Sequence, residues 1–61
     1  MSELPGELAD ALAAAPDARA AFEALPPSHR REYVRWVVEA KKPETRVSRA
    51  QKTVARLRDK A

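Results

Sequence analysis

Sixty-one residues with no cysteine, one histidine and one glycine admit one domain at most, with neither a disulfide nor a metal cluster to hold it. Lys and Arg outnumber Asp and Glu by 12 to 9, for a net charge of +3, which directs attention to acidic partners. Helix formers dominate, β-branched residues are few and no stretch alternates apolar with polar over a strand length. The chain therefore reads as all-α, a small bundle of three to four short helices in a single domain over 1–61.

Proline sets the punctuation, because it is tolerated in a first helical turn and disruptive deeper in a helix. A first helix is expected from about Pro5 to Ala14, with Leu4, Leu8, Ala11, Leu12 and Ala15 on its apolar side. Pro16 opens a second, to about Ala24, burying Ala18, Ala21, Phe22 and Leu25. Pro26 and Pro27 force a corner. Ser28 is the only side chain there able to cap, although Pro27 at the first helical position moves the cap to Pro26.

The third helix is expected to run to Ala40 or Lys41, with Tyr33, Trp36, Val37 and Ala40 on one stripe and Val34 and Val38 widening it. Pro43 opens the fourth, where Glu44 suits the electropositive first turn. Along that helix Val47, Ala50, Val54 and Leu57 recur at three- and four-residue steps as one narrow seam. Antiparallel packing around Phe22, Trp36 and Leu57 is the simplest architecture.

Charge is divided unevenly along the chain. Residues 1–27 hold Glu3, Glu7, Asp10, Asp17 and Glu23 against Arg19 alone, a net of −4. Residues 28–61 hold eleven Lys or Arg against Glu32, Glu39, Glu44 and Asp59, a net of +7. On the fourth helix Arg46, Arg49, Lys52, Arg56 and Lys60 fall within an acid-free wedge of about 120°. Two readings of this wedge stand side by side. In one, the acidic N-terminal half lies across it and uses up the field. In the other, it faces an acidic protein surface, an anionic headgroup or nucleic acid, the last by salt-sensitive contacts without base readout.

Catalytic readings find little support. A nucleophile needs a base within reach and an oriented third group; His29 is the only histidine and sits beside a helix start. Glu39 and Glu44 lie among Lys41, Lys42 and Arg46, where ion pairing is their expected role. A single glycine forms no phosphate-cradling loop. The chain thus reads as a non-enzymatic module with no catalytic residue, metal or cofactor. Tyr33 and Trp36 among basic residues suggest base stacking, but their shared stripe with Val37 and Ala40 favours a place in the core.

The run from Phe22 through Leu25-Pro26-Pro27 to Tyr33 and Trp36, followed by Ala40-Lys41-Lys42-Pro43-Glu44-Thr45-Arg46, Arg49 and Lys52, closely resembles the YdeI/OmpD-associated (OmdA-like) family. Leu4, Leu8 and Leu12 fit as well, so the resemblance covers nearly the whole chain. It implies a role in bacteriocin protection or envelope stress and an association with a porin. The module in that family often ends a longer protein, whereas Met1-Ser2 favours a natural start here. The motif carries over onto Arg31, Tyr33, Trp36, Lys41, Glu44, Thr45, Arg46, Arg49 and Lys52. Most of these positions have a structural reading too: Glu44 and Arg46 brace the corner between the third and fourth helices while Tyr33 and Trp36 pack inside. Pro26 departs from the family's usual serine or threonine.

The combined expectation is an interaction module that binds an acidic partner through Arg31, Arg35, Lys41, Arg46, Arg49, Lys52 and Arg56. The alternative is non-specific nucleic-acid binding by the same face, and a further one is a homo-oligomer paired through the fourth helix's seam. With neither an export signal nor a run of about 20 apolar residues, the chain reads as cytoplasmic with no transmembrane segment. That placement allows only indirect contact with an outer-membrane porin.

Overall fold

The computed structural model describes residues 4–60, with side chains through Asp59. Met1, Ser2, Glu3 and the side chain of Lys60 lie outside the described residues. Four helices follow in chain order: α1 (Gly6–Ala13), α2 (Pro16–Glu23), α3 (Pro27–Val38) and α4 (Pro43–Lys60). The all-α class and the proline-marked starts hold. Pro5 and Pro26 stand as extended N-cap residues of α1 and α3, without side-chain capping bonds, and their carbonyls accept from Ala9 N at 2.9 Å and Arg30 N at 3.1 Å. Proline here replaces a capping side chain by presetting φ for the turn that follows.

α3 ends at Val38, two or three residues earlier than its apolar stripe suggests. Pro43 disfavours helical geometry at Lys42, so the chain must leave the helix ahead of it. Ala40 N closes the turn on Val37 O at 3.2 Å, and Ala40 stays buried just past the helix end.

α4 is the spine. Eighteen residues at 1.5 Å each give about 27 Å, close to the molecule's 29 Å long axis. It packs against α1, α2 and α3, and α1 also packs against α2. The buried cluster is Leu8, Leu12, Ala15, Ala18, Phe22, Val37, Ala50 and Leu57. Leu4, Ala11, Ala21, Leu25, Tyr33, Val34 and Val54 lie partly buried against it. Small alanines at α1, α2 and α4 let short helices approach closely, which offsets the shortage of large side chains in so short a chain.

Two assignments need correcting, Val47 on the α4 seam and Trp36 in the core. Val47 is 44% exposed, and Thr53 is fully buried on the seam instead. Thr53 pairs its hydroxyl internally, Oγ1 donating to Arg49 O at 2.9 Å, so no buried side-chain polar atom is left unpaired among the described residues. Trp36 is half-buried and stands outside the buried cluster. Ala50 and Leu57 of the α4 seam are buried within the chain.

Candidate interaction surface and the arginine-braced corners

A helix leaves its last carbonyls unpaired, and the usual remedy is a left-handed glycine just past its end. The only glycine is Gly6, and no described residue has positive φ. Arginine takes over the task at two corners. At the end of α2, Arg30 of α3 donates through one terminal guanidinium nitrogen to Leu25 O and to Glu23 O, the latter at 3.2 Å. At the end of α3, Arg46 of α4 donates from Nε to Ala40 O at 2.8 Å and from a terminal nitrogen to Val38 O at 3.0 Å. Arg49 adds a bond of 2.7 Å to Trp36 O. Cations at helix C-termini also complement the negative end of the helix dipole.

The seven residues of the expected contact face therefore divide. Arg46 and Arg49 are half-buried and point inward to backbone carbonyls. In this structure their side chains serve the frame at the corner between α3 and α4. Arg46 braces the corner as its structural reading expects, while Glu44 is exposed and makes no ion pair among the described residues. Arg31, Arg35, Lys41, Lys52 and Arg56 are exposed. None of them forms an ion pair with a described carboxylate. Arg31 and Arg35 sit one turn apart on the solvent side of α3, and Lys52 and Arg56 one turn apart on α4.

The acidic N-terminal half does reach α4, but on its other flank. Asp17, in the first turn of α2, accepts from Arg58 Nε at 3.1 Å, and both side chains are more than half exposed. The second ion pair, Arg19 with Glu23 at 3.2 Å, lies within α2. Arg58 was not among the expected wedge residues. Glu39, read as an ion-pair partner, also makes no ion pair among the described residues.

The Arg58 hydrogen bond, followed by the Ala18 amide, holds the Asp17 carboxyl below its ordinary value. A depressed carboxyl stabilises the fold at pH above the ordinary carboxylate value, and that contribution disappears as pH falls through the depressed one. Asp17→Asn is expected to lower the melting temperature slightly at neutrality, for so exposed a pair, and to converge with the natural chain below about pH 4, so that its acid limb is flatter. Thermal melts across pH check it; an unchanged acid limb would show that the bond does not persist in solution.

Trp36 lies beside these groups. The guanidinium carbons of Arg49 and Arg56 stand 5.4 and 5.2 Å from the indole ring centre, within cation–π range. The indole is thus a platform under two cations at the edge of the core. The stripe at Tyr33, Trp36, Val37 and Ala40 carried no sign of this, because spacing marks a shared face and not its depth. Arg30 was missed too. Its signal was available: a corner without glycine requires a long donor in the helix that follows.

Fold and site together define a small all-helical module with arginine-braced corners. The chain belongs to the OmdA family, described as bacteriocin-protection, YdeI or OmpD-associated, whose model matches residues 1–60. None of the curated proteins and none of the solved structures compared with it matches the chain.

Proposed function

We propose that this OmdA-family chain is a non-enzymatic interaction module that docks an acidic protein partner in the cytoplasm, in the service of bacteriocin protection. One observation carries the reading: Arg31, Arg35, Lys41, Lys52 and Arg56 are exposed and have no ion-pair partner among the described residues. Such a surface raises the association rate and selects partners of opposite sign. Arg46 and Arg49 support it indirectly, by fixing the angle between α3 and α4.

The test is a pull-down comparing the natural chain with Lys41→Glu/Lys52→Glu and with Arg31→Glu/Arg35→Glu. All four side chains are exposed, so helical circular dichroism is expected to stay unchanged. At least one pair is expected to release partners that the natural chain retains, with retention falling as salt rises. Identical partner sets from all three proteins would remove these cations from the contact. A fluorescent DNA duplex, titrated from about 50 mM salt upward, is expected not to saturate; tight binding that weakens steeply with salt would shift the reading to nucleic acid.

A further inference from the structure

A recess of about 340 Å³ opens between α3 and the C-terminal half of α4, lined by Leu25, His29, Glu32, Tyr33, Trp36 and Arg56. Its walls differ in kind. Leu25 and the faces of Tyr33 and Trp36 are apolar and half-buried, whereas His29, Glu32 and Arg56 form its polar part. The two arginines near the indole also differ. Arg49 is committed to Trp36 O. Arg56 is exposed, lies over the ring at 5.2 Å, and makes neither a side-chain hydrogen bond nor an ion pair among the described residues.

A guanidinium held within cation–π range of a ring is restricted in advance while its unpaired N–H groups stay free for a ligand. Those N–H groups match a carboxylate two to two. Glu32 shares the recess and repels negative charge, so a dianionic phosphate or a dense phosphate backbone is penalised more than one carboxylate.

We propose that this recess binds a carboxylate carried beside an aromatic or aliphatic group, as on an acidic peptide segment with an adjacent apolar side chain. Arg56 takes the carboxylate, and Trp36, Tyr33 and Leu25 take the apolar group. The assignment rests on the acidic-partner reading above and gives that partner a docking point. It also accounts for a large aromatic at the surface where Phe22 and Leu57 are buried.

Trp36 is the only tryptophan, so its fluorescence reports the recess directly in the full chain. The probe is N-acetylphenylalaninate, with N-acetylphenylalaninamide, inorganic phosphate and oligothymidylate as comparisons. A saturable change in the millimolar range is expected for the carboxylate, with at least about tenfold weaker response to the amide. Arg56→Lys keeps the charge and loses the fork, and is expected to weaken binding about tenfold; Arg56→Gln does the same or more. Lys42→Glu, exposed and outside the contact set, is expected to stay within about twofold. The absence of saturation, equal binding of acid and amide, unchanged affinity in both Arg56 variants, or tighter binding of phosphate or oligothymidylate would each overturn the assignment. A pull-down that depends on Lys41 and Lys52, together with a silent recess, overturns the recess alone and leaves the charged-surface reading intact.

Discussion

Arg46→Ala is expected to lower stability by about 2 kcal/mol, read as a shift of the urea midpoint at unchanged slope. Two charge-assisted bonds are lost at once, to Ala40 O at 2.8 Å and Val38 O at 3.0 Å. The first is the costlier, because it is part-buried while the second is exposed and water can replace it. A chain of this length has a total stability of about 3 to 9 kcal/mol, so the loss removes a large share. The corresponding fall in melting temperature is about 10 °C. Arg46→Lys is the sharper comparison: an ammonium keeps the charge near the helix end but cannot span two carbonyls with a planar fork. It is expected to recover less than half of the loss. Full recovery by lysine would reduce the role of Arg46 to charge alone.

This expectation reverses the meaning of a charge-reversal experiment at the same place. Arg46→Glu/Arg49→Glu would put carboxylates against the carbonyl ends of α3, where both the hydrogen bonds and the helix dipole oppose them. Loss of a partner in such a protein would report a broken corner. Lys41 and Lys52, which touch no helix end through their side chains, separate contact from folding.

The prolines made most of the fold legible. Pro16, Pro27 and Pro43 each open a helix where local sterics demand one, and these rules act over two or three residues. The core of α1 and α2 was equally legible, since Leu8, Leu12, Ala18 and Phe22 follow from spacing on short helices with one buried side. The candidate site was legible in composition but not in direction. Arg46 and Arg49 share a wedge with Lys52 and Arg56, yet the first two turn inward and the others face solvent. That division is set by where α3 stops relative to α4, a tertiary fact without a local pattern. Long charged side chains make the ambiguity worse, because their stems cover apolar surface whichever way their heads turn.

The seam of α4 provides the second large test, since Val47 and Leu57 have equal standing in the sequence and opposite surroundings in the fold. Leu57 is almost wholly buried among the packed helices, and Val47 is 44% exposed. Leu57→Ala removes three side-chain carbons from the buried cluster, and is expected to cost about 3 kcal/mol or more. Against a total of about 3 to 9 kcal/mol, that removes between about a third and all of the stability. Val47→Ala exposes nothing new and slightly improves helix propensity, so its change is expected within about 0.5 kcal/mol. Urea unfolding of the two variants side by side decides the matter. Equal losses would mean that α4 is rolled about its axis from the orientation described, which would carry Arg46 and Arg49 off their carbonyls and Arg56 off Trp36. The braced corner, the tryptophan platform and the recess beside it all depend on this one rotational setting of α4.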